Sequence, residues 1–562
     1  MALNRSGSQG ALAGTPVLIL REGASRNRGK GALLGNIAAA RVVADVVKAT
    51  LGPRGMDKML IDTIGDITIS NDGHEILKEI DVQHPAAKMI VEVAETQDKE
   101  VGDGTTTAVI FAGELLKNAE EMLNKNIHPT TIVSGYKKAA EEALKILRKV
   151  AVDISIDDRE MLKKAALTSM RGKVIGGARE HFSDIAIDAV KQIVEKKGDK
   201  LSADKDDIQI VKKAGKNLLE TQLVKGIIVD KEVINPSMPK RVTKAKIALI
   251  ESALEIEKPE TNAEILIHNP SQMKAFLDEE TKMLSDMVER IVKSGANVVL
   301  CQKGIDDMAQ HYLAKSGILA AGRVKASDME KLSKATGAKI ASNLEDLNAS
   351  DLGAAELVEE RKIGDDKMIF VEGCKNPKAI AILIRGGLDR LVDEAERSLN
   401  DALYVIIDLV KQNKIVAGGG AIEEEIAKGL HEYAAKVGGR EQLAIEAFAN
   451  SLEIIPSTLA DNAGLNMIDI LVALRAAHEK SGGIWMGVNA FKGGVTDMMK
   501  EGVIEPMSIK EQAIKSAVEA TSMILRIDDI IAAAKSAPPM PPQGGGMGGM
   551  GGMGGMGGMP EY

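Results

Sequence analysis

Aromatic residues supply only 2% of this 562-residue chain, and cysteine occurs just twice, at Cys301 and Cys374. So few aromatic rings leave little with which to stack nucleic-acid bases, and aliphatic cores are expected instead. Two thiols cannot complete a four-thiolate zinc site, and they offer no framework of secretory disulfides. Long apolar runs are missing as well, so no stretch reads as a membrane span. The opening residues, MALNRSGSQGALAG, lack the charged start and apolar stretch of a signal peptide. A cytoplasmic protein with no membrane partner is expected. The charge balance, 72 basic against 81 acidic residues for a net −9, argues against a general polyanion binder, so no nucleic-acid partner is expected either.

Several familiar catalytic motifs are also absent. No Gly-Lys pair is followed by Ser or Thr, which excludes a P-loop of the usual kind. His-Glu dipeptides begin at His74, His431 and His478, but none has a second histidine four residues on, so there is no zinc-protease helix. No GxSxG elbow occurs. The remaining chemistry is acidic and glycine-rich, which suits phosphoryl transfer, where positioning and charge neutralisation carry most of the catalysis.

The richest segment is GDGTTT, Gly102 to Thr107, with NDG, Asn71 to Gly73, upstream of it. Glycines let backbone approach a ligand closely. The N–H groups of a first helical turn lack partners and attract anions. Asp103 offers a hard oxygen to Mg²⁺, and the hydroxyls of Thr105, Thr106 and Thr107 can donate to phosphate oxygens. An ordinary N-cap also accounts for GDGT. Three consecutive β-branched threonines count against that reading unless their hydroxyls are used.

The length implies roughly two to four domains. A helix is expected from about Ala32 to Leu51, stopped by Gly52 and Pro53. A hairpin of Lys58 to Asp62 and Asp66 to Ser70 follows, then helices on either side of GDGTTT. From about residue 205 the pattern changes to short strand-like runs between helices, the mark of a mixed α/β region. Within it, Met273, Phe276, Leu277, Leu284, Met287, Val288 and Ile291 recur at helical spacing. Such a stripe packs on its own domain or projects toward a partner. After about residue 383 the chain turns helical again, and it closes in a Gly/Met repeat that cannot bury a core and is expected to be disordered.

Taken together, these segments resemble a group II chaperonin, the archaeal thermosome type of the TCP-1/cpn60 chaperonin family. The resemblance runs from about Gly35 to Ala533. It rests on TLGPRGMDKML (Thr50 to Leu60), ISNDG (Ile69 to Gly73), HPAAKMIVEVA (His84 to Ala94) and VGDGTTTAV (Val101 to Val109), with further matches in CQKGIDDMAQHYLAKSGI, VAGGGA, GREQLAIEAFA, DNAGL and LRIDDIIAA. It implies a multidomain α and α/β fold of three nested domains. A mainly helical equatorial ATP-binding domain would take 1–157 and 416–536. A small α/β intermediate domain would take 158–229 and 383–415. An α/β apical client-binding domain would take 230–382, with a helical lid protrusion at about 258–290, and 537–562 would be the tail. The implied function is ATP-driven folding of non-native proteins inside a double ring of the same or paralogous subunits. The alternative is a structural or holding subunit of a mixed ring that does not hydrolyse ATP.

The resemblance also implies roles for residues in the matching motifs, with ATP and Mg²⁺ as ligands. Leu51, Gly52 and Pro53 would line the phosphates, with Asn71 and Gly73 beside them. Asp103 would bind the metal, and Gly104, Thr105, Thr106 and Thr107 would cradle the phosphates. Asp72 would order the metal site and the attacking water, and Asp401 would position or polarise that water. Lys173 would sense the terminal phosphate, Gly419 would pack near the nucleotide, Asn489 would lie beside the adenine and Glu505 would meet the ribose. The chain departs from the family pattern at His74 and Glu75, at Arg171 and at Asn466, and these departures bear on nucleotide affinity and turnover.

Overall fold

The structure is a computed structural model that describes residues 25–62, 64–173, 175–198, 200–256, 270–374 and 378–532. The Gly/Met tail, the amino-terminal stretch and the first part of the expected protrusion, including Ile265 to Ile267, lie outside these residues. The chain divides into a large unit, Leu34–Arg526, and a small unit made of its two terminal segments. In the terminal unit, Ser25–Arg28 pairs antiparallel with Asp529–Ala532.

The architecture is α and α/β. Helix ends near the candidate site follow local chemistry. The helix Pro85–Val101 starts with proline at its first position, and His84 accepts a hydrogen bond from the Ala86 N–H at 3.2 Å. It ends at Gly102, whose left-handed φ of 65° and N–H bonds to Gln97 and Asp98 close the last turn. Three residues later Thr105–Asn124 begins, so GDG forms the whole turn between two helices. The scarce aromatics gather here. Phe111 and Tyr136 meet Phe448 edge-on at ring separations of 5.3 and 5.9 Å, a geometry that suits their quadrupoles.

Strands between Gly226 and Glu372 form a mixed seven-stranded sheet. Its main path runs Leu319–Ala321, Val298–Cys301, Arg241–Ile250, Gly353–Ile363, Asp366–Glu372 and Gly226–Val229, and Ile340–Ala341 pairs with Arg241–Ile250 off that path. The core is aliphatic, as the composition predicts, and is led by Ile247, Leu249, Val299, Leu300 and Ile369. A separate aliphatic core joins the helices Arg159–Ser169, Arg179–Ile193 and Asp389–Gln412 to the parallel pair Ile208–Ala214 and Ile380–Gly386.

The helix Pro270–Ser294 resolves the two readings of its apolar stripe by dividing them. Leu284, Val288 and Ile291 are buried in the sheet's core, whereas Met273, Phe276 and Leu277 stand exposed. Sequence reading missed the eleven-residue strand Gly353–Ile363, whose Glu-Glu-Arg-Lys run reads as a solvated segment. Pairing on both edges overrides that weak local propensity. Among the described residues, no helix is long and apolar enough to cross a membrane.

Candidate functional site

NDG and GDGTTT face each other. Asp72 caps the short helix Gly73–Glu79, its Oδ1 accepting the Glu75 N–H at 2.9 Å. Its other oxygen accepts from the Thr105 hydroxyl at 3.2 Å, which ties the two motifs together. Gly73 backs the site without lining it. A Cβ there would stand 2.6 Å from Thr106 Oγ1 and 2.9 Å from the Thr106 N, so only glycine permits this approach. Asp103 Oδ1 accepts from the Gly104 N–H at 2.6 Å. The amide of Gln97 donates to the carbonyls of Asp103 at 2.9 Å and Ile509 at 3.1 Å, clamping the turn against a distant helix. Sequence reading missed Gln97, since nothing marks a helical glutamine as a clamp.

Around these motifs lies a cavity of about 150 Å³ lined by Leu51, Gly52, Asn71, Asp72, Asp103, Gly104, the three threonines, Arg171, Lys173, Asp401 and Glu505. Asp401 lies mid-helix in Asp389–Gln412, where its charge would in isolation be read as solvated. Instead its side chain is only 13% exposed and is bonded to Lys173 Nζ, whose side chain is 8% exposed. A second cavity of about 350 Å³ adjoins the first and shares Leu51, Gly52, Thr107, Thr168, Arg171 and Glu505 with it. Its wall is largely apolar, with Ile455, Leu459, Val488, Phe491 and Met498, and it also includes Pro53, Gly419 and Asn489. All the expected site residues except Gly73 thus line one cavity or the other.

Two of them are occupied by internal bonds. Asn489 Oδ1 accepts the N–H groups of Phe491 and Lys492 at 3.1 and 3.0 Å, and its amide donates to Thr496, so the side chain shapes its own turn. Glu505 pairs with Lys510 at 2.6 Å, and Lys510 also reaches Glu423 at 2.8 Å. This triad, of which Glu505 and Lys510 line the larger cavity, was not legible in the sequence, because its members carry no shared motif. Asn462 was missed for the same reason. Its amide donates to the carbonyls of Lys48 and Leu51, fixing the turn that leads into Gly52.

The electrostatics of the smaller cavity are unbalanced. Burial, reinforced by the charges of Glu505 and Asp72, pushes the Asp103 carboxyl up to about 6. Burial with the charges of Asp103 and Asp72 likewise pushes Asp401 well above the carboxylate range. Burial works against the Lys173 ammonium, yet Asp401 and Asp72 outweigh it and hold the proton on. Four carboxylates, Asp72, Asp103, Asp401 and Glu505, line the cavity against two cations, Lys173 and Arg171, and a divalent cation would relieve the surplus. Mg²⁺ takes one or two protein carboxylates and fills its other positions with water and phosphate oxygens. Asp103, with Asp72 beside it in the same lining, offers carboxylates of that number, and among the described residues no group of three or more His, Cys, Asp and Glu could hold a metal by itself. The departures at His74 and Glu75 point elsewhere. His74 pairs with Asp98 at 3.3 Å and Glu75 with Lys78 at 3.8 Å, and neither lines this cavity.

The sequence pattern of the TCP-1/cpn60 chaperonin family matches residues 43–535. The chain belongs to that family. It is 57% identical over 524 residues to thermosome subunit beta of Sulfolobus acidocaldarius, covering 93% of this chain and 95% of that one. It is 59% identical to thermosome subunit beta of Thermococcus kodakarensis over 93% and 96% of the two chains, and 58% identical to the thermosome subunit of Pyrococcus abyssi over 93% and 95%. This chaperonin therefore keeps the multidomain α and α/β fold that its motifs imply.

Proposed function

We propose that this chaperonin is an ATP-dependent folding machine in which Asp72, Asp103, Lys173 and Asp401 work on one nucleotide. The observation that carries the reading is that Asp401 and Lys173, 228 residues apart in sequence, meet in the cavity formed by NDG and GDGTTT. The apolar cavity suits a base and sugar, and the adjoining polar one suits the phosphates. Mg²⁺, held by Asp103, would neutralise phosphate charge. The threonine hydroxyls and the first N–H groups of Thr105–Asn124 orient the phosphate oxygens. Asp401 accepts a hydrogen bond from the attacking water and aligns it, with Asp72 beside it. Lys173 holds Asp401 in place and sits where a terminal phosphate would end.

The nested equatorial, intermediate and apical domains remain part of this proposal. Distinct cores for 226–379 and for the helices flanking Lys173 and Asp401 support the division. Nucleotide binding would then bias a hinge, because Lys173 and Asp401 come from the two intermediate segments. Ring assembly in two stacked rings of roughly eight or nine subunits is supported by the hairpin Lys58–Ile61 and Ile67–Ser70. This hairpin exposes Met59, Ile61 and Ile64 on a two-stranded sheet with open edges. The exposed Met273, Phe276 and Leu277 support a lid or client-binding role for the helix Pro270–Ser294.

Steady-state phosphate release by the purified full chain with Mg²⁺, together with electron microscopy with and without ATP, tests the proposal. Hydrolysis and rings that close with nucleotide are expected. Rings without phosphate release would instead favour the holding subunit, and a monomer would defeat both readings.

A further inference from the structure

Among the described residues, one charged side chain at these cavities has neither a task nor a partner. Arg171 lines both cavities, at the seam where they meet. Its backbone packs closely on neighbouring turns. The neighbouring Gly172 carbonyl accepts from the Asn71 amide at 3.1 Å, and a Cβ on Gly172 would come within 3.0 Å of the Gly52 carbonyl and 3.3 Å of Pro53 Cα. This short segment is therefore laid directly on the Gly52–Pro53 turn. On one side of Gly172, Lys173 reaches Asp401. On the other, Arg171 borders the seam.

Every other cation lining these cavities is already taken. Lys173 belongs to Asp401, Lys492 to Glu501, and Lys510 to Glu423 and Glu505. Among the described residues, the half-buried Arg171 guanidinium has no hydrogen bond or ion pair. Burial and the like charge of Arg179 hold its basicity down, and Glu501 only partly offsets them. A guanidinium stays charged in proteins, so an unpaired, partly desolvated one raises the energy of the ligand-free state. Its planar fork of donors matches phosphate oxygens and binds them bidentately.

We propose that Arg171 binds the polyphosphate chain of the nucleotide, as the one cation of the two cavities left free to do so. This rests on the nucleotide proposal and adds a residue to it. Arg171 is a phosphate-binding group whose contribution grows with the number of phosphates, and it bridges the base cavity and the acidic cavity. It also supplies positive charge that Lys173, neutralised by Asp401, cannot.

The test compares the full-length chain with its Arg171→Gln and Arg171→Lys forms. Affinities for ATP, ADP and AMP with Mg²⁺ are measured calorimetrically at low and moderate salt. A charge-assisted hydrogen bond lost to Gln should weaken ATP by roughly tenfold or more, ADP less and AMP least. The salt dependence of ATP binding should flatten, and Lys should restore part of the loss. ATP affinity within about twofold of the starting protein would overturn the proposal. So would equal weakening of all three nucleotides, the result expected of a merely structural residue. If the unaltered chain binds none of them, the nucleotide proposal fails first and takes this one with it.

Discussion

Two buried lysines in this protein use the same chemistry for different ends. Lys510 sits between Glu423 and Glu505, with 7% of its side chain exposed, in the lining of the apolar cavity. Lys173, 8% exposed, faces the single carboxylate of Asp401 beside the acidic cavity. Lys510 and its partners lie at the starts of the helices Ala421–Val437 and Met507–Leu525 and in the strand Ile504–Pro506. The bond network there joins segments that share one packed region. Lys173 instead connects the loop after Arg159–Ser169 to the middle of Asp389–Gln412. A doubly bound lysine fixes a floor. A singly bound one, beside the acidic cavity, holds one carboxylate, Asp401, in place.

Breaking this contrast should give its largest effect at Asp401. In Asp401→Asn, the amide keeps the shape and can still accept from Lys173, but it loses the charge that polarises water. Turnover should fall by about 10²–10⁴-fold while Mg-ATP affinity changes little. Single-turnover hydrolysis and equilibrium binding check both halves, and unchanged turnover would remove Asp401 from the mechanism. Next comes Lys510→Met, which strands Glu423 and Glu505 without their cation. Stability should drop by about 3–5 kcal/mol, read from chemical denaturation, and adding Glu423→Gln should recover part of it. Lys173→Met should lose less stability, since Asp401 borders a cavity open to water, and far more turnover. Equal stability losses at the two lysines would erase the distinction.

How much of this was legible beforehand depends on how local the cause is. The turn Gly102–Asp103–Gly104, the hairpin around Ile64 and the helix Pro270–Ser294 follow from glycine, proline and periodicity within a few residues, and the sequence marks each of them. Asp401 carries no such mark. Its burial comes from packing between helices remote in sequence, and only the resemblance of the surrounding motifs singled it out. Lys510, Gln97 and Asn462 had neither advantage. Lys510 reaches back to Glu423, Gln97 to Ile509 and Asn462 to Lys48, all distant in sequence and none with a recognisable pattern. The strand Gly353–Ile363 failed differently, since charged residues on a paired strand look the same in sequence as a solvated loop.

A smaller and more graded test lies at Asp408, on the same helix as Asp401 and further along it. Burial pushes its carboxyl up to about 7, although the Ser508 hydroxyl donates to it at 2.8 Å. The folded chain therefore holds a proton that the unfolded chain releases near the ordinary value of 3.8. Between these limits the folded state binds more protons, so stability from this group is complete below about pH 4 and is lost as pH rises through about 7. Asp408→Asn removes that slope. Against the parent, the variant should match it near pH 4 and exceed it at pH 8 by an amount on the order of a few kcal/mol. A difference that stays constant across pH would mean Asp408 is ionised in the fold.

The least effect is expected at Glu75. Glu75 follows the NDG motif, and a carboxylate among bound phosphates would oppose them. Its side chain turns instead toward Lys78, on the far side of the capping bond that its own N–H makes to Asp72. A pair at this spacing whose lysine is exposed contributes roughly 0.2–0.5 kcal/mol, and solvent ions screen whatever charge reaches beyond about 8 Å. Glu75→Gln should therefore leave turnover unchanged and stability within about 0.5 kcal/mol of the parent. The backbone cap survives the substitution, so any larger change must come from the charge itself. Faster turnover in the variant would mean that Glu75 reaches the phosphates, and the holding-subunit alternative would then regain its main support.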